Sequence, residues 1–257
     1  MRERPRIAIR PATRAIWRSP MVLVTAAAVL LAVAVIALNM KAAPGPVSGD
    51  LAIPPSVYAA DMVDGASLGS ADARVVMEVW SDFQCPICAR LVREQFPGLK
   101  TRFVDTGLLR IQARDIAILG HGAPDESLEL ATGAACAARQ DRYWAFHDLA
   151  FWNQGGENRG DHSPEFIASL ATQAGVDRVA WDACIAAPDT RAGIRTATIE
   201  ALGRGINATP TIALNGEGPL AGLPDATVLT AKIQALVDAA AAASPAGPAT
   251  SGGAAAP

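Results

Sequence analysis

The stretch Val75–Leu91, VVMEVWSDFQCPICARL, decides the fold of this protein. Residues 74–80 are rich in apolar and β-branched side chains, which is typical of a buried strand. After a short polar connection comes the motif CPIC at residues 85–88. Apolar residues then recur at helical spacing up to Pro97, where we expect a kink or a stop. The stretch therefore predicts a strand, a tight connection and a helix that begins at two cysteines.

The two cysteines of the motif can close a small disulfide ring if the backbone between them turns into a helix. A helix N-terminus favours negative charge through its unpaired N–H groups and its dipole, so the Cys85 thiolate should be stabilised and its pKa lowered. Pro86 suits the first helical turn because it has no N–H to leave unpaired. Cys88 lies almost one turn further along and should be more buried. We therefore expect Cys85 to be the attacking sulfur and Cys88 the resolving one.

The motif has two other interpretations. Half of a structural zinc site would need two more ligands at suitable spacing, but Cys136 and Cys184 have no CxxC or CxxH neighbour and the three histidines are scattered. A purely structural disulfide across so short a loop would remove little chain entropy. Redox chemistry without a metal or a cofactor is the favoured interpretation.

Strand and helix patterns alternate through the rest of the domain. Residues 108–113 read as the next strand, and no convincing strand follows until residues 211–214, since the region from about 124 to 202 shows repeated helix signals. Asn215-Gly216 is a hairpin signal before a short return strand at residues 220–221. A last helix is predicted from about Pro224-Asp225 through Val237. The predicted order is β-α-β, a helical block and β-β-α.

A family resemblance rests on two separate motifs. The stretch VVMEVWSDFQCPICARL, the long helical block and then INATPTIALNG (residues 206–216) resemble the DsbA-like branch of the thioredoxin superfamily over roughly residues 61–237. The resemblance implies an α/β thioredoxin fold with an inserted all-helical subdomain at about residues 120–205. It also implies the activity of a protein disulfide oxidoreductase.

The resemblance extends to individual residues outside the CPIC motif. Pro210 matches a cis-proline that packs against the two cysteines, and the backbone of Thr209 before it would then be free to pair with an extended substrate segment. An ordinary trans proline at the start of a strand is the alternative. Glu78 matches a strand in which the family often places an acid that relays the proton of the buried cysteine; a solvated glutamate at the rim is equally compatible. Ile87 replaces the histidine of strong oxidants, which predicts a milder oxidant.

The second cysteine pair, Cys136 and Cys184, falls on separate predicted helices. The resemblance implies a structural disulfide between them, whereas two buried free cysteines would be unusual in an oxidising compartment. An aromatic cluster around His147 could be a substrate surface, but helical core packing is the simpler interpretation.

The N-terminal part of the chain predicts export. The apolar run from Met21 to Leu38 is long enough to cross most of a bilayer's hydrocarbon core, and six arginines and one glutamate precede it. By the positive-inside rule, residues 1–20 stay in the cytoplasm, residues 21–40 form an uncleaved single-pass anchor, and the rest is extracytoplasmic. A cleaved signal peptide is the alternative, although the residues that follow, Asn39-Met40-Lys41, are a poor cleavage context.

Composition shifts divide the exported part. Residues 41–58, rich in Pro, Gly and Ser, predict a linker; residues 59–239 form the domain; and residues 240–257 predict a disordered tail. Beyond residue 20 the chain has 16 basic and 24 acidic residues, an acidic balance that argues against nucleic-acid binding.

The sequence and the resemblance together predict an extracytoplasmic, monomeric oxidoreductase. It would donate the Cys85–Cys88 disulfide to exported proteins that contain cysteines. The resemblance implies reoxidation by a membrane partner of the DsbB or vitamin K epoxide reductase type. A reductase or isomerase is one alternative, although isomerases of this superfamily usually gain a dimerisation domain for which we see no segment. A non-catalytic binding module on the same fold is the other, and retention of both cysteines argues against it.

Overall fold

The computed structural model describes residues 24–26, 28–31 and 51–243. The chain divides into two units, residues 1–45 and residues 46–257. In the first unit the described residues are helical. Across the described parts of the chain, no helix combines the length and the apolar character needed to span a bilayer. The predicted cytoplasmic segment 1–20, most of the predicted anchor 21–40, residues 41–50 of the linker and the tail after residue 243 lie outside the described residues.

A mixed sheet of six strands forms the centre of the second unit. The strands follow the order β1-β2-β4-β3-β5-β6, with β3 and β4 parallel and all other neighbours antiparallel. The predicted strands at residues 74–80, 108–113, 211–214 and 220–221 are confirmed. Two further strands of two residues each were too short to predict. The strands are β1 (Val63–Asp64), β2 (Ser67–Leu68), β3 (Val75–Ser81), β4 (Leu109–Asp115), β5 (Thr211–Leu214) and β6 (Glu217–Ala221).

The helix after β3 is irregular but continuous. It starts as α1 (Pro86–Arg90), passes through a π-helical turn into α2 (Phe96–Leu99), and ends with a second π-helical turn at Lys100–Val104. Pro97 lies in the first turn of α2, so its missing N–H falls next to the π-helical turn Leu91–Gln95. A stop at Pro97 is therefore wrong; the chain absorbs the proline by a local change of helix type.

Five helices lie between β4 and β5 and form the predicted all-helical insertion. Three of the five begin at a side-chain N-cap: Asp125 Oδ1 accepts from Leu128 N at 3.0 Å, Ser163 Oγ accepts from Phe166 N at 3.2 Å, and Asp177 Oδ1 accepts from Ala180 N at 2.9 Å. The helices are α3 (Glu126–Ala138), α4 (Tyr143–Trp152), α5 (Pro164–Gln173), α6 (Arg178–Ala186) and α7 (Pro188–Gly203).

The predicted ends of the domain shift outward. The last helix, α8 (Ala226–Ala242), is capped by Asp225 and extends past the predicted end at Val237, because the alanine run that follows is a good helix former. Part of the predicted linker packs on the domain: Asn153 exchanges two hydrogen bonds with the backbone of Ala52, and Tyr58 donates to Asp148. The end of the predicted linker is therefore in contact with the domain.

Apolar residues pack on both faces of the sheet. The larger cluster includes Met77 and Val79 of β3, the helix after β3, α8 and most of α3 and α4. On the other face a small cluster joins Trp80 of β3 to Ala201 of α7 and to Ile206. β3, whose carboxyl end leads into the cysteine motif, is therefore covered by helices on both faces.

Candidate active site

Cys85 is the N-cap residue of α1. Its backbone is extended (φ −71°, ψ 116°), its Sγ accepts from Cys88 N at 3.4 Å, and its N–H donates to Asp82 O at 2.9 Å. Pro86 occupies the first helical position, as predicted. Both cysteines are free thiols in this structure, and their residues are 4% (Cys85) and 0% (Cys88) exposed. The Cys85 sulfur thus lies where the helix N–H groups point.

The two thiols have opposite pKa shifts. The pKa of Cys85 is lowered to about 6, first by the hydrogen bond from the side chain of Cys88 and then, against the opposing effect of burial, by the side chain of Thr209 and by helix N–H groups. Burial is the main reason that the pKa of Cys88 is raised well above its usual value, and the neighbouring Cys85 raises it further. At neutral pH the pair therefore holds one thiolate, on Cys85, and one thiol, on Cys88.

The second predicted motif meets the first at this point. The Thr209-Pro210 peptide bond is cis, and Cys85 Sγ lies 3.3 Å from Thr209 O, a distance at which the thiol form of Cys85 can donate to this carbonyl. Thr211 Oγ1 donates to Ala208 O at 2.7 Å and so ties the turn together. Residues 124 positions apart in sequence are thus in direct contact, and the trans-proline alternative is wrong for this structure.

Asp82 is a buried carboxylate that the sequence analysis missed. Its Oδ1 accepts from Gln84 N (2.9 Å) and Ser127 Oγ (2.7 Å), and its Oδ2 accepts from Ile118 N and Leu119 N (both 2.9 Å). Burial raises its pKa, against the effect of these hydrogen bonds. Asp82 therefore joins the segment before Cys85 to the loop after β4 and to α3. Asp82 stands in the short polar connection before the cysteines, so the local sequence did not mark it.

Two glutamines and an asparagine also hold the cysteine segment. Gln154 Nε2 donates to Phe83 O (2.6 Å) and to Cys85 O (3.1 Å), and the buried Gln84 accepts from Asn158 N. Gln154 and Asn158 belong to the loop between α4 and α5. Nothing local in the sequence marks them, because their partners lie about 70 residues away.

Glu78 lies in β3. A proton relay would require its carboxylate to contact the buried cysteine, but the carboxylate pairs with Arg114. Its Oε1 accepts from Arg114 Nε (3.0 Å) and Nη2 (2.9 Å), and its side chain is 17% exposed. Glu78 is not among the groups that shift the pKa of either cysteine. These contacts favour the alternative of a partly exposed glutamate in an ion pair, and a proton relay through Glu78 stays a hypothesis.

The remaining candidates are structural. A disulfide joins Cys136 to Cys184 between α3 and α6, as the resemblance implies. His147 is buried, its Nδ1 lies 2.9 Å from Asp148 Oδ1, and aromatic rings surround it. The interpretation as core packing is confirmed for the aromatic cluster, whose buried rings are Tyr143, Trp144, Phe146 and Phe151.

Comparison with known proteins agrees with this geometry. A family model described as thioredoxin matches residues 61–235. The chain therefore belongs to the thioredoxin family, in its DsbA-like disulfide oxidoreductase branch.

Three relatives illustrate the similarity. The probable disulfide bond formation protein D of Bacillus cereus is 32% identical over 89 residues, which are 34% of this chain and 40% of that protein. Oxidised BdbD from Bacillus subtilis has a TM-score of 0.59 at 20% identity and shares the fold over 69% of this chain and 99% of its own. Reduced DsbA from Mycobacterium tuberculosis has a TM-score of 0.55 at 25% identity over 70% and 98%. The alignments span less than half the length of the curated Bacillus relatives.

Proposed function

We propose that this protein is an extracytoplasmic oxidase that donates the Cys85–Cys88 disulfide to exported proteins. The observation that carries the proposal is the pairing of a low-pKa thiol at a helix N-terminus with a buried, high-pKa thiol one turn away. A stabilised Cys85 thiolate stabilises the reduced protein, and this makes the disulfide a better oxidant.

The reaction consists of two thiol–disulfide exchanges. A substrate thiolate attacks Cys85 Sγ, a bond forms between these two sulfurs, the Cys85–Cys88 bond breaks, and Cys88 leaves with the electron pair. A second substrate thiolate then attacks the substrate sulfur of the mixed disulfide and releases Cys85 as a thiolate. The substrate loses two electrons and two protons. Cys88 takes one proton because its pKa is raised, and the other goes to water because Cys85 stays ionised.

The backbone at Thr209 is proposed to hold the substrate during these steps. Its carbonyl oxygen lies 3.3 Å from the Cys85 sulfur, just before the start of β5, and an extended substrate segment pairing there would bring its cysteine to Cys85. The reduced pair needs an oxidant after each cycle. We propose a membrane partner of the DsbB or vitamin K epoxide reductase type, with the enzyme as a monomer held at the membrane by residues 21–40.

The experiment is the refolding of a reduced, disulfide-containing protein with and without the purified domain. Faster oxidation that disappears in Cys85→Ser supports the proposal. Insulin reduction without oxidation would support a reductase, and substrate binding that is unaffected by Cys85→Ser would support a binding module. Equilibration with glutathione gives the reduction potential, which decides the direction; because Ile87 replaces a histidine, we expect a milder oxidant than the strongest members of the family.

A further inference from the structure

A cavity beside the cysteine motif has no part in the chemistry described above. Its volume is about 510 Å³. The loop after β4 and the loop between α4 and α5 enclose it. His121 N donates to Asn158 Oδ1 at 3.0 Å, and Asn158 N donates to Gln84, the residue before Cys85. The cavity is therefore connected to the active site by two hydrogen bonds.

The wall of the cavity contains buried polar atoms without hydrogen-bond partners among the described residues. His162 is 1% exposed and neither ring nitrogen is bonded; Glu126 is 5% exposed and its Oε2 is unbonded. Glu126 Oε1 accepts from His162 N at 2.9 Å, which fixes the two residues side by side. His162 Nδ1 faces Glu126 Oε2 at 3.6 Å, beyond normal hydrogen-bond length. Buried polar groups are nearly always bonded, so this wall is suited to a polar occupant.

The unbonded atoms determine the chemistry of that occupant. Burial lowers the pKa of His162, against the opposing effect of Glu126, so the ring is neutral at neutral pH and carries a single N–H. With that N–H assigned to Nδ1, which faces the carboxylate, Nε2 is an acceptor. The Glu126 carboxylate is an acceptor as well. An occupant that satisfies both must donate hydrogen bonds.

The surrounding charge favours a cation. Residues 119–126 and 155–164 contain four acidic residues and one arginine, Arg159, which is paired with Asp161 at 3.4 Å. Within the described residues no group of three or more His, Cys, Asp or Glu side chains could hold a metal ion. A guanidinium or an ammonium group supplies several donors and a positive charge on a flexible apolar stem.

We propose that this cavity binds an arginine or lysine side chain of the substrate polypeptide whose cysteine reacts with Cys85. This inference rests on the proposed function and adds a preference for substrates with a basic residue close to the reacting cysteine. Glu126 and His162 are its specificity-determining residues.

Reduced peptides that differ in one residue near the cysteine test the preference. Four peptides carry Arg, Lys, Ala or Glu at that position. Each is oxidised by the disulfide form of three proteins: the wild type, the Glu126→Gln variant and the Glu165→Gln variant. The Arg peptide should react about tenfold faster than the Ala peptide in the wild type, as expected for one charge-assisted hydrogen bond. Glu126→Gln should remove most of the difference between the Arg and Ala peptides. Glu165→Gln, which removes the same charge from an exposed position in α5, should keep it.

Direct binding provides a second measurement that does not depend on turnover. N-acetyl-arginine amide should shift the His162 ring signals in NMR spectra in a saturable way, and N-acetyl-norleucine amide should not. Equal rates for the four peptides together with no saturable shift would overturn the inference and leave the oxidase proposal intact. If no peptide is oxidised, the oxidase proposal fails, and the titration still decides whether the cavity binds a basic side chain.

Discussion

At the scale of single residues, one hydrogen bond contributes most to the low pKa of Cys85. The side chain of Cys88 is the largest cause of the low pKa of Cys85. We expect Cys88→Ala to raise the pKa of Cys85 from about 6 by roughly one unit or more, and Cys88→Ser, which keeps a donor, to raise it less. The ultraviolet absorbance of the thiolate during a pH titration measures both. Identical titration curves for the two variants would contradict the assignment.

The low pKa of Cys85 also predicts a pH dependence of stability. Between its folded value of about 6 and its usual value of 9.0, the folded reduced protein holds a thiolate and the unfolded chain a thiol. The unfolded state then binds more protons, so the free energy of unfolding of the reduced protein rises with pH. The contribution is fully present above about pH 9 and is lost as the pH falls through 6. Allowing for solvent screening, we expect on the order of 2 kcal/mol.

Urea unfolding of the reduced protein across this pH range measures the effect, and the oxidised protein, which has no Cys85 thiol to titrate, is the control. The difference in free energy of unfolding between the reduced and oxidised forms should increase from pH 6 to pH 9. Parallel curves for the two forms would show that the thiolate is not stabilised in the folded state.

A substitution of Glu78 distinguishes its two interpretations, a partly exposed ion pair and a proton relay. Because Glu78 pairs with Arg114 and is partly exposed, Glu78→Gln should cost no more than about 1 kcal/mol and leave the pH profile of mixed-disulfide formation unchanged. Stopped-flow mixing of the oxidised variant with a thiol peptide at several pH values measures the profile. A proton relay through Glu78 would instead change the shape of that profile.

At the scale of elements, the strand and helix around the cysteines were predictable because their signals are local. β3 and α1 follow from side-chain periodicity and from a proline at the first helical position, and β5 was predicted with its observed bounds. β1 and β2 carry no such signal, since two residues have no periodicity. Asp82 was missed for a related reason: three of its four partners lie 36–45 residues away, so its importance depends on contacts that only the fold creates.

The connection made by Asp82 leads to a prediction about the elements that it joins. Asp82→Ala would leave the N–H groups of Gln84, Ile118 and Leu119 and the hydroxyl of Ser127 without their acceptor. We expect a loss of about 3 kcal/mol in the free energy of unfolding of the oxidised protein, because several buried donors become unsatisfied. Denaturant unfolding measures it, with the exposed Asp72→Ala as the matched control. Equal losses in the two variants would mean that the connection contributes little.

At the scale of the whole molecule, the resemblance predicted the architecture better than it predicted the boundaries. The helical insertion between β4 and β5 and the contact between Cys85 and Thr209 follow from two motifs in a fixed order. The packing of residues 51–58 on α4 could not be predicted, because their Pro- and Ser-rich composition resembles a free linker while Tyr58 finds a buried partner in Asp148. The cavity at His162 was equally hidden, since its two loops are brought together only by the fold.

The two cysteine pairs should differ in their effect on the stability of the whole domain. The Cys136–Cys184 disulfide closes a segment of 48 residues within the helical insertion, which corresponds to about 4 kcal/mol in the chain-entropy model. Replacing both with alanine should therefore lower the free energy of unfolding by about 2–4 kcal/mol and leave the glutathione equilibrium of Cys85–Cys88 unchanged. Denaturant unfolding and redox titration of the double variant measure the two effects separately. Alkylation of the wild type without reductant is the independent check: because Cys136 and Cys184 are paired, neither should be alkylated, and two alkylated thiols at 136 and 184 would contradict the structural role.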